Sequence, residues 1–163
     1  MVYAKTLLFT VLVPGTVAGL VPHWIRAATG AAPAGPLPQA FALLLALAGL
    51  ASYGWCALDF ARAAGTPAPI DPPRELVARG LYRHSRNPMY VGVLSLIGAQ
   101  ALYFGSAWLW LYAALLFAAF HCFVVLYEEP TLAKSFGATY QHYLASVPRW
   151  IPKRPDHAGG AAS

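Results

Sequence analysis

The sequence predicts an all-α, polytopic helical membrane protein with about four transmembrane helices, and three observations carry that expectation. Only 10% of the 163 residues are charged and 58% are hydrophobic, whereas about 25% of an ordinary soluble domain is charged. Long apolar runs cover about 6–22, 39–61, 89–104 and 107–127. Segments so few and so continuous cannot close a barrel, and in lipid only helices or closed barrels pair every backbone N–H and C=O.

The elements follow in chain order. At 1.5 Å per residue, about 20 residues cross a hydrocarbon core of about 30 Å. Lys5 precedes the first run as in a signal peptide, but further spans follow "HWIRAATGAAP", so the run reads as retained. Pro14-Gly15 predicts a kink within it. The runs 39–61 and 107–127 are long enough to span, and 89–104 is short. "FGS" at 104–106 reads as a tight hairpin between the third and fourth spans. Pro130 closes the fourth run, and the aromatic, basic stretch 130–153 reads as an interfacial segment. Residues 1–153 thus form one transmembrane domain and 154–163 a flexible tail, with no internal repeat.

The net charge of +5 could report nucleic acid, but its distribution argues for orientation. Of eleven Lys and Arg, only Arg26 lies between the first two spans. The others sit at Lys5, in the 62–88 connection and in the C-terminal region, so the positive-inside rule puts both termini and that connection in the cytoplasm. No nucleic-acid partner is expected; membrane lipids are. Cys56 and Cys122 lie in apolar runs without a CxxC and read as small hydrophobes. Asp59 is placed to pair with Arg62. His121 stands alone in the fourth span, where a packing role outweighs a ligand role, and no metal site is expected.

The chemistry concentrates on one face. "GTPAPIDPPRELVARGLYRHSRNPMYVG" begins with a proline-stiffened strap. It ends with Pro88 in the first turn of a helix that Asn87 is placed to cap. A helix N-terminus beside Arg83 and Arg86 favours a carboxylate or phosphate, although the arginines could equally be orientation signals. Adjacent Glu128 and Glu129 leave the fourth span on the same face, at the helix end that disfavours anions. They need a cation: Arg79, Arg83 or Arg86, or a bound ligand. "SFGATYQHYLASVPRWIPK" could anchor the chain at the headgroups or roof this site. No GxGxxG, Walker, GxSxG or HExxH motif occurs.

"DPPRELVARGLYRHSRNPMYVG" followed by "EEPTLAKSFGATYQHYLASVPRWIP" resembles the integral-membrane methyltransferases typified by isoprenylcysteine carboxyl methyltransferase, with phospholipid methyltransferases as relatives. The resemblance covers roughly residues 65–153. It implies S-adenosyl-L-methionine as methyl donor, bound at the cytoplasmic face by Arg74, Glu75, Leu76, Val77, Tyr82, Asn87, Pro88, Met89, Tyr90 and Glu128. The ligand's chemistry suits these residues: its carboxylate suits arginines and a helix N-terminus, its ammonium a glutamate, its sulfonium an aromatic face. The chain departs from prenylcysteine enzymes at Asn87, where they carry histidine, and at Val124, where they tend to carry an arginine associated with the substrate.

The expected reaction is methyl transfer to a lipid-like membrane substrate, foremost the carboxylate of an isoprenylcysteine-like lipid, in a bacterial inner membrane. Arg83 and Arg86 would orient an anionic group. An amine acceptor would need a base, with Glu129 or His84 as candidates. A phospholipid amine or quinone-like acceptor is the first alternative. A non-catalytic lipid-binding or complex-supporting protein is the second. The spans hold too few polar residues for a transporter.

Overall fold

The structure, a computed structural model, describes residues 12–62 and 76–152. Among them every regular element is helical. The chain enters through a π turn at Thr16–Leu20 that runs into α1 (Val21–Thr29), and α2 (Pro36–Arg62) follows. A 3₁₀ turn at Gly80–Arg83 leads to α3 (Pro88–Tyr103), and then to α4 (Ala107–Phe123). A second π turn, Val124–Glu128, joins α4 to α5 (Glu129–Ser146). Among the described residues two helical stretches are long and apolar enough to cross a membrane: α2 and Ala107–Ser146, the latter including the second π turn and a break at Gly137. α3 is apolar but has 16 residues.

α2 and α3 run antiparallel and make the tightest helix pair. A Cβ on Gly49 would lie 2.9 Å from the Gly92 carbonyl oxygen, and one on Gly92 would lie 3.0 Å from that of Gly49. Two facing glycines let the backbones touch, which supplies the dispersion contact that holds helices together where lipid removes the hydrophobic drive. The hairpin expected at 104–106 forms, with the Ser106 hydroxyl accepting from the Leu109 N–H at α4's start. It meets the α1–α2 loop, where the Ala34 N–H donates to Tyr103 O at 2.7 Å. The basic and acidic residues of interest lie at the opposite end.

Prolines shape both irregular helices, and here the structure departs from expectation. Gly15 is helical, and a π turn follows it directly; the part of the first run on the other side of Pro14-Gly15 lies mostly outside the described residues. The Val21 N–H bonds Thr16 O. Pro22 has no N–H to offer the carbonyls a turn above. The open acceptors are met from neighbouring helices: Tyr112 Oη donates to Val17 O at 2.9 Å and Gln100 Nε2 to Ala18 O at 2.7 Å. The same device recurs at Pro130. The Glu129 N–H bonds Val124 O across the second π turn, and the helix passes through the proline where the sequence predicts its end. The break comes later, at Gly137, whose φ of 52° lies in the left-handed region that glycine tolerates. Beyond it the chain turns back, and Tyr140 is buried. Asp59 and Arg62 pair at 3.7 Å as expected, and both cysteines are free, Cys56 buried and Cys122 exposed.

Two alanine substitutions separate contact from propensity. Gly92→Ala forces a Cβ against the Gly49 carbonyl and should lower unfolding stability in detergent by about 1–3 kcal/mol. Gly54→Ala meets nothing within 4 Å and should be neutral or stabilising by about 0.5–1 kcal/mol. Thermal melts of the two variants beside wild type check this.

Candidate active site

The site is a cavity of about 400 Å³ at the basic end of the helices, within the range of about 300–1,000 Å³ usual for small-molecule pockets. Its wall is apolar where α2 and the helical residues 12–20 before α1 contribute: Tyr53, Phe60, Val13, Pro14 and Val17. Its polar end collects Tyr82, Arg86, Asn87, Tyr90 and Glu128, with Met89 beside them. Five of these six come from the stretch 82–90, which the 3₁₀ turn and α3's first turn fold onto one wall.

Glu128 reaches the cavity because of the π turn. Ala119, Phe120 and Phe123 line the same wall. In an uninterrupted α-helix the next residue on that face would be 127, four residues after Phe123. A π turn takes five residues, so the face passes to Glu128, and Tyr127 is turned outward and is 50% exposed. The Glu128 carboxylate accepts from Tyr90 Oη at 3.0 Å. No guanidinium or ammonium pairs with it among the described residues. Tyr90 in turn packs on Phe120, ring centroids 4.6 Å apart.

Glu129 faces the other way and is fully engaged. Arg86 Nη1 donates to its Oε1 at 2.8 Å, while Arg149 grips both oxygens, Nε to Oε1 at 2.7 Å and Nη2 to Oε2 at 3.0 Å. Those hydrogen bonds raise the Arg149 guanidinium above its already high ordinary value, so it stays charged. Arg86 is largely buried, and its Nε has no partner among the described residues. The segment after α5 also straps this corner through its backbone. The Arg86 N–H donates to Pro148 O at 2.9 Å, Asn87 Nδ2 to Arg149 O at 3.1 Å and Ser85 Oγ to Trp150 O at 3.1 Å. Asn87 sits at the N-cap position of α3, but its side chain makes no capping bond there; the amide is oriented by its Nδ2 bond to the strap. Pro88 does occupy α3's first turn. Trp150 Nε1 donates to His121 Nδ1 at 3.1 Å, so the lone span histidine has a packing partner. Burial pushes the Tyr82 phenol well above its ordinary value, and Tyr82 O accepts from Tyr143 Oη at 2.8 Å.

Of the residues singled out by sequence, Tyr82, Arg86, Asn87, Met89, Tyr90 and Glu128 converge on the cavity. Pro88 is buried behind them, and Val77 packs in the core against Tyr82 and Met89 without lining the cavity. Leu76 is half-buried and away from it, and Arg83 is exposed. Arg74, Glu75 and the proline strap lie outside the described residues. Arg149, which meets Glu129 from the C-terminal side, lies in the segment that the sequence leaves as a headgroup anchor or a roof of the site, with no signal for this pairing. Tyr53, Phe60 and the lining residues before α1 carry no signal in an apolar run.

The two glutamates should part company on mutation. Glu129→Gln leaves two guanidiniums without their shared anion and should cost about 3 kcal/mol or more. Glu128→Gln keeps an acceptor for Tyr90 and should cost under about 1 kcal/mol. Parallel chemical unfolding in detergent reads both values.

The donor set fits S-adenosylmethionine: an unpaired carboxylate, a guanidinium with an unused buried donor, and aromatic faces all border one cavity. No curated protein and no solved structure matches the chain. The model of the phospholipid methyltransferase family matches residues 38–139, from the start of α2 through both glutamates. That span is more than half of the chain and holds the polar end of the cavity; the chain belongs to the phospholipid methyltransferase family, integral-membrane methyltransferases related to the isoprenylcysteine carboxyl methyltransferases.

Proposed function

We propose that the protein transfers a methyl group from S-adenosylmethionine to an amphiphile held in the membrane. The carrying observation is the convergence of unpaired Glu128, Arg86 and the Tyr90 ring on one cavity. Bound there, the donor supplies an electrophilic methyl group on a sulfonium. Glu128 meets its ammonium, and Arg86 with the first-turn N–H groups of α3 meets its carboxylate. The faces of Tyr90 and Phe120 lie toward the positive sulfur. The apolar wall excludes water and aligns the acceptor, and that alignment is the main catalytic contribution asked of the protein.

The proposed topology is four spans with both termini and the cavity in the cytoplasm of a bacterial inner membrane, following the basic-residue distribution. Arg83, exposed at the end of the 3₁₀ turn, is available to an anionic headgroup. A carboxylate acceptor of the isoprenylcysteine type needs no general base, which suits a site whose Glu129 is tied up by two arginines. A phospholipid amine is the second reading, favoured by the family match.

Titration calorimetry with S-adenosylhomocysteine tests the donor site. Wild type should bind, and Glu128→Gln should bind about 10–100-fold more weakly, the loss of a charge-assisted hydrogen bond, at an unchanged melting midpoint. No binding by wild type rejects the reading. Incubating native membranes with methyl-labelled donor then identifies the acceptor: a methyl ester releases label as methanol in base, whereas an N-methyl group keeps it.

A further inference from the structure

We infer that Arg149, on the segment after α5, is a positioning residue that preserves the charge of Arg86 for the carboxylate of the methyl donor. The inference rests on the donor-site reading above and concerns a residue outside the stretch that the family model covers.

The argument is one of charge arithmetic in a partly buried place. Arg86 and Arg149 share a single carboxylate: Glu129 Oε1 accepts from both, at 2.8 and 2.7 Å, and Oε2 from Arg149 at 3.0 Å. The three side chains together carry +1. The bidentate grip belongs to Arg149, so most of the Glu129 charge is answered from the strap side. Arg86 is left with one bond to Glu129 and a buried Nε that no atom of the described residues accepts. An unmet buried donor on an arginine that lines the cavity points to an anionic group of a ligand. Were Arg149 absent, Glu129 would pair with Arg86 alone, the cluster would be neutral, and the attraction for an incoming carboxylate would fall. Glu128, held by Tyr90 on the same cavity, makes no ion pair with this cluster's guanidiniums.

The test compares S-adenosylhomocysteine with its decarboxylated analogue, titrated into the full chain in detergent. Wild type should prefer the carboxylate-bearing ligand by about tenfold or more. Arg149→Gln should bring that ratio toward one while changing affinity for the decarboxylated analogue less. Arg149→Lys keeps the charge and should hold the ratio within about threefold of wild type. In the double variant Arg149→Gln with Glu129→Gln, the carboxylate and its partner are both removed and the cluster again carries +1 on Arg86, so the preference should return. A merely structural strap would lower affinity for both ligands alike and leave the ratio unmoved in every variant. That result, a collapsed ratio in Arg149→Lys, or a wild-type ratio of one, overturns the inference. Failure of wild type to bind either ligand overturns the donor site itself.

Discussion

The carboxylate of Glu129 holds three distant pieces of chain in one place. It sits at the start of α5, and its partners come from the entry to α3 and from the segment beyond α5. Without this shared anion, Arg86 and Arg149 would repel each other across a partly buried corner, and the strap at 147–150 would lose its side-chain anchor. The backbone bonds from Ser85, Arg86 and Asn87 to that strap then lock the motif that lines the cavity. Two guanidiniums on one carboxylate give the corner a residual positive charge, and the neighbouring Glu128 supplies a negative one. Residues of opposite sign, Arg86 and Glu128, thus border one cavity.

The π turns are the second constraint. Each precedes a proline by one residue, Pro22 and Pro130. A proline in a regular helix removes one hydrogen bond and presses its ring on the preceding turn; a wider turn relieves both, provided the freed carbonyls find donors. Tyr112 and Gln100 supply them near Pro22, so two polar side chains in otherwise apolar helices have a structural duty. Near Pro130 the extra residue has a functional consequence. It moves the cavity-facing position from Tyr127 to Glu128 and leaves Glu129 to face the arginines. The adjacent glutamates thereby point to different tasks, which a regular helix would also separate but with different residues toward the cavity.

The close pairing of α2 and α3 through Gly49 and Gly92 sets the distance between the apolar wall and the polar one. Tyr53 lies one turn from Gly49 and lines the cavity, as does Phe60 further along the same helix. Packing between helices and the shape of the pocket are therefore the same problem in this molecule.

Composition and pattern by themselves determined a helical membrane protein, the hairpin at 104–106, the pairing of Asp59 with Arg62, and the concentration of the chemistry on 82–90 and 128–129. These are local or compositional properties: hydropathy, turn residues, and charges a few positions apart. Three-dimensional packing alone decided what Asn87, Glu129 and Arg149 do. Asn87 Nδ2 donates to Arg149 O, and the amide so anchored makes no side-chain cap on α3's first turn. A glutamate's partner 20 residues away is set by the break at Gly137, not by spacing along a helix. The register of Glu128 depends on one extra residue in a turn, which no periodicity reveals because the run around it is uniformly apolar. Where every face of a helix is greasy, sequence marks that a helix exists, and only its neighbours decide which way it points.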